Sequence, residues 1–69
     1  MTTTTFQVPD IHCEHCKTSI ENAVSLVSGV DRVEVTIPAR TVDVVFDEAQ
    51  ATRAAIVDAI ESQGYVVTG

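Results

Sequence analysis

The apolar residues of this chain switch repeatedly between a spacing of two and a spacing near 3.6, and this alternation of periods restricts the fold more than any other feature. Thr2 to Pro9 is rich in β-branched residues, with Phe6 and Val8 on one side of the alternation, and reads as a first strand ending at Pro9. From about Glu14 to Ser28 the period becomes helical: Ile20, Ala23, Val24 and Val27 recur on one face, and Ser28-Gly29 supplies the stop. Val33, Val35 and Ile37 then alternate with Arg32, Glu34 and Thr36. After a turn at Pro38-Ala39-Arg40, Val42, Val44 and Phe46 alternate with Thr41 and Asp43. Asp47 followed by Gln50 resembles a capping box with aspartate in place of Ser/Thr. It predicts a helix to about Gln63, ended by Gly64, with Thr52, Ile56, Ala59 and Ile60 facing inward. Tyr65-Val66-Val67 reads as a short last strand. The resulting order βαββαβ predicts an α+β, ferredoxin-like domain over residues 1–69, with two helices on one face of a four-stranded antiparallel sheet. That fold hosts unrelated functions, so the chemistry must be read from particular side chains.

A chain of 69 residues has little room for an enclosed substrate pocket beside its core. Its four basic residues, Lys17, Arg32, Arg40 and Arg53, face ten acidic ones, for a formal charge of -6. That balance excludes nucleic acid, which demands a basic footprint, and disfavours anionic membrane surfaces. It points instead to a partner with a basic face. The start of the sequence lacks the basic and apolar regions of a signal peptide, and no apolar run approaches the ~20 residues of a membrane span. The expectation is a cytoplasmic protein without membrane insertion.

Cys13 and Cys16 are the only cysteines, and they enclose two residues. A disulfide there could staple almost nothing, because its effect grows with loop length. The pair is therefore chemical rather than structural. The predicted elements put Cys13 in the loop after the first strand and Cys16 in the first turn of the first helix, where residues three apart turn toward one point. The helix N-terminus favours thiolates, and two thiolates with few competing ligands suit Cu(I). A structural zinc site wants four ligands, and iron–sulfur clusters want about four thiolates. Covalent haem attachment requires histidine directly after the second cysteine, where this chain has Lys17. A thioredoxin-like redox pair belongs to a larger fold, which places metal binding ahead of thiol–disulfide catalysis.

His12 and His15 are the only histidines. Either could supply a third ligand or, protonated, depress a thiol pKa; the alternative is that both are solvated loop side chains. Each is bonded to a cysteine, which disfavours ligation by both at once, and His15, between the cysteines, is the preferred candidate. Lys17 reads as a solvated helix residue beside Glu14 and Glu21, or as an offset to an anionic site.

Val8-Pro9-Asp10-Ile11-His12-Cys13-Glu14-His15-Cys16, with Ile20, Gly29-Val30, Val33, Val35 and Gly64-Tyr65, resembles the heavy-metal-associated domain family over nearly the whole chain. The resemblance implies the βαββαβ fold already read from the periods. It implies that Cys13 and Cys16 bind Cu(I) and pass it by thiolate exchange, without covalent catalysis, as the free-standing bacterial copper chaperones of the family do. The implied partner is a metal-binding domain, typically on a copper-transporting P-type ATPase. The bacterial members carry tyrosine at the position of Tyr65, beside the metal loop. Two positions depart from the family's Gly-Met-x-Cys-x-x-Cys pattern. Ile11 stands for the methionine and can fill its apolar role. Asp10 stands for the glycine and brings a hard carboxylate, which leaves zinc or another divalent ion open. A zinc or mercury carrier and a small thiol–disulfide oxidoreductase are the alternative readings. An exposed metal loop also permits a copper-bridged homodimer.

Overall fold

Phe6, Val35, Val42, Val44 and Phe46 are buried on one face of an antiparallel sheet, because residues two apart along a strand share a face. The computed structural model describes residues 1–69. It contains β1 (Thr2–Gln7), α1 (Glu14–Ser25), β2 (Val30–Thr36), β3 (Thr41–Phe46) and α2 (Arg53–Glu61). The sheet has the order β1-β3-β2, and its register sets Phe6 opposite Val42 and Val42 opposite Val35 in one apolar row. The helices complete the core from that side. Ile20 and Val24 of α1 and Ile56 and Ile60 of α2 are pairs four apart, and all are fully buried. Each isoleucine buried in this way contributes roughly 1.5–3 kcal/mol. The other face of the sheet is polar: the Thr5 hydroxyl donates to the Asp43 carboxylate at 2.6 Å. No helix is long and apolar enough to cross a membrane.

The sheet has three strands rather than the expected four. The tail that follows Gly64 is hydrogen-bonded to β1 only at Gln7. The Gln7 N–H donates to the Gly69 carbonyl (3.0 Å) and the Thr68 N–H to the Gln7 carbonyl (2.9 Å). Residues two apart turn their bonding groups to the same edge, so the next group in line past Gln7 is Pro9, which has no N–H to donate. The ladder stops there. The same proline explains why β1 ends at Gln7 and not at Pro9.

The helix boundaries also differ from the periodicity reading. α1 ends at Ser25, three residues before Ser28, and α2 begins at Arg53. Asp47 and Gln50 do interact, at 3.5 Å, but within a turn rather than at a helix start. The Asp47 carboxylate accepts the Ala49 N–H (2.9 Å), and its carbonyl accepts the N–H groups of Gln50 (2.9 Å) and Ala51 (2.8 Å). Thr52, expected to face inward, is instead the exposed N-cap, its hydroxyl accepting the Ala55 N–H at 3.1 Å. The turn is set by packing: Gly29 lies against Gln50 and Ala51, and its carbonyl accepts the Asp47 N–H at 2.8 Å.

Candidate metal centre

The metal loop hangs from two apolar anchors. Val8 and Ile11 are both fully buried, and the Ile11 N–H closes a turn on the Val8 carbonyl at 3.1 Å around exposed Pro9-Asp10. Ile11 therefore takes the packing role expected of it. The Val8 N–H is held in turn by the carbonyl of Arg40 at 2.9 Å. Arg40 has a φ of 55°, a left-handed conformation in the turn between β2 and β3.

Directly after this loop, Cys13 is the N-cap of α1, with extended backbone (φ -153°, ψ 167°). Its carbonyl accepts the Lys17 N–H at 3.1 Å, while its side chain makes no capping bond. A cysteine where Ser or Asp would normally cap leaves its sulfur free beside the positive end of the helix dipole. Cys16 follows one turn later on the same face and is buried, while Cys13 is half-exposed. The two sulfurs are 3.2 Å apart, and both thiols are free.

This setting lowers the Cys16 pKa from 9.0 to about 7. Hydrogen bonding from the Tyr65 hydroxyl contributes most, followed by the Cys13 thiol and the His12 backbone N–H, while burial opposes them. The same bond pushes the Tyr65 phenol up to about 12, because ionised tyrosine could no longer donate to the sulfur. Much of Cys16 is thus thiolate at neutral pH, the form that binds metal and attacks electrophiles. The rate of Cys16 alkylation in metal-free protein should titrate with a midpoint near 7, and Tyr65→Phe should move that midpoint up toward 9.0. Stability carries the matching sign. A folded-state pKa below 9.0 stabilises fully above pH 9.0, and the contribution is lost as the pH falls through about 7. Thermal melts of metal-free protein at both ends of that window check this, and the variant should show the weaker pH dependence.

The ligand atoms of His12, Cys13 and Cys16 all lie within 4.8 Å of one another. His15, the histidine preferred on spacing, is exposed and outside this group. Its position on the first turn of α1 turns it away, since adjacent helical residues do not share a face with the residue that follows them. His12 is oriented by a 2.7 Å contact between Nδ1 and the Asp10 carbonyl. Asp10 acts on the site through its backbone, a feature with no signature in residue type. Its exposed carboxylate is not part of the ligand group. The cluster offers soft sulfur and borderline nitrogen donors at the surface, fit to receive a metal ion from another protein and to release it to one.

Residues 5–65 match the heavy-metal-associated domain. The copper chaperone CopZ of Staphylococcus saprophyticus is 42% identical over 67 residues, covering 97% of this chain and 98% of its own. The mercuric transport protein periplasmic component of Pseudomonas fluorescens is 36% identical over 63 residues, covering 91% of this chain and 69% of its own. Among solved structures, a CopZ metallochaperone superposes with a TM-score of 0.95 at 31% identity, covering 97% of this chain and 100% of the other. A copper-binding domain from a P-type ATPase superposes with a TM-score of 0.92 at 28% identity, covering 100% and 96%. With its paired thiols at the mouth of α1 and this likeness along nearly its whole length, the chain belongs to the heavy-metal-associated domain family.

Proposed function

We infer that this protein is a copper chaperone of the cytoplasm, a carrier rather than an enzyme, with Cu(I) as its cargo on Cys13 and Cys16. The observation that carries the reading is the pair of free sulfurs 3.2 Å apart at a helix N-terminus, one of them half-exposed. The copper chaperone 42% identical to this chain supports copper as the cargo. The copper-binding domain of a P-type ATPase, so similar in shape, supports such a domain as the recipient. Transfer is then an exchange between two like sites. A recipient thiol gives its proton to solvent, its thiolate joins the copper, and Cys13, the more accessible donor, leaves and is reprotonated. Cys16 follows in the same way when a second recipient thiolate arrives. Copper remains Cu(I) throughout, and no electrons are exchanged. With ten acidic residues against four basic ones, encounter is fastest with a recipient whose docking face is basic. A second copy offering its own thiolates gives a copper-bridged homodimer by the same chemistry.

Anaerobic titration with Cu(I) and with Zn(II), each against a competing chelator of known affinity, tests the reading. Copper must bind more tightly by orders of magnitude. Equal affinities, or zinc ahead of copper, overturn it. A mercury carrier is the second reading, supported by the mercuric transport relative. It displaces copper if Hg(II), but not Cu(I), passes from the loaded protein to a recipient domain.

A further inference from the structure

We propose that His12 is a third metal ligand through Nε2, and that it extends the range of this site from Cu(I) to borderline divalent ions of the Zn(II) class. The proposal rests on Cys13 and Cys16 being the thiolate pair read above. Two observations carry it. The His12 donor lies with both sulfurs in a group spanning no more than 4.8 Å. Nδ1 of the same ring is 2.7 Å from the Asp10 carbonyl. A carbonyl oxygen only accepts, so Nδ1 must carry the proton, and in the neutral ring the lone pair is then on Nε2. This is the arrangement by which metal-binding histidines are oriented: one nitrogen donates to a carbonyl and the other is presented to the ion. The Asp10 carbonyl is itself held in place, because Asp10 sits in the turn closed by the Ile11 N–H on Val8, with both of those residues fully buried. His15 has no such partner and stands outside the group.

The consequence is selective. Cu(I) is satisfied by two soft thiolates, whereas Zn(II) takes imidazole readily and is held by three or four protein ligands. Two sulfurs and one nitrogen leave an open position, the feature that lets an incoming thiolate take the ion away. His12 therefore matters little to copper affinity and much to zinc affinity.

The test compares wild type, His12→Ala, His15→Ala and Cys13→Ser by chelator competition with Zn(II) and Cu(I). His12→Ala should weaken Zn(II) binding at least about tenfold, the lower bound found even for outer partners of a metal ligand. It should leave Cu(I) binding little changed, which also shows the loop intact. His15→Ala should change neither. In wild type, Zn(II) should shift the Nε2 nitrogen NMR signal of His12 and not that of His15. An unshifted His12 signal, undiminished Zn(II) affinity in His12→Ala, or a loss confined to His15→Ala overturns the proposal and leaves the thiolate pair standing. Undiminished binding of both metals in Cys13→Ser overturns the thiolate site itself.

Discussion

Cys16→Ser should abolish useful Cu(I) binding, with affinity falling on the order of a thousandfold or more in anaerobic competition titrations. A serine hydroxyl is nearly the same size as the thiol, so the packing under the loop survives. The donor changes from soft, ionised sulfur to hard, neutral oxygen, and soft donors are what select Cu(I). The variant should therefore keep its far-ultraviolet circular dichroism and its thermal midpoint while losing copper. Cys13→Ser should lose copper comparably, because the two sulfurs act as one site 3.2 Å across. Retention of near wild-type copper affinity by either variant would mean that the pair is not the copper site.

The second large effect falls far from the metal. Gly29→Ala should destabilise the fold by about 2–5 kcal/mol, from two separate costs. The residue has a φ of 93°, and a left-handed conformation costs a non-glycine residue roughly 1–2 kcal/mol. A Cβ added there would also lie 2.7 Å from the Gln50 Cβ and 2.9 Å from the Ala51 backbone nitrogen. Backbone cannot swing aside as a side-chain tip can, and overpacking of this kind costs about 1–3 kcal/mol. Domains are stable by only about 0.05–0.15 kcal/mol per residue, so the loss is a large part of the total. For a domain this small, about 3 kcal/mol lowers Tm by roughly 12–24 °C. Gly64→Ala is the control: its φ is 89°, but nothing lies within 4 Å of the added Cβ. It should show the conformational cost alone. Equal melting of the two variants would show that the contact with Gln50 and Ala51 relaxes freely.

Where sequence reasoning succeeded, a residue's role depended on its neighbours in sequence. The alternation of Val42, Val44 and Phe46 located β3 because a half-buried strand imposes period two directly on residue type. Ile20 with Val24, and Ile56 with Ile60, located the inner faces of both helices in the same way. Where it failed, a distant contact decided the outcome. Asp47 and Gln50 have the right types and spacing for a helix start, but the packing of Gly29 against Gln50 and Ala51 keeps that stretch a turn. Tyr65-Val66-Val67 has strand-forming residues, but the edge it must join runs into Pro9.

The candidate site divides along the same line. Cys13 and Cys16 could be found by residue type and spacing, since thiols three apart at a helix start converge in any such helix. The histidines could not be ranked in that way. His15 lies between the two cysteines along the chain, yet helix geometry turns it outward, while the extended backbone leading into the N-cap carries His12 alongside the sulfurs.

The sequence by itself determined the order of the first five elements, the isoleucine faces of the helices and the thiol pair, because each is written in local periodicity and spacing. Only the tertiary structure decided which histidine joins the sulfurs, that the Tyr65 hydroxyl holds Cys16 near a pKa of 7, and that the sheet stops at three strands. Those depend on hydrogen bonds and close approaches between segments remote in sequence, or on backbone groups such as the Asp10 carbonyl that every residue type carries alike.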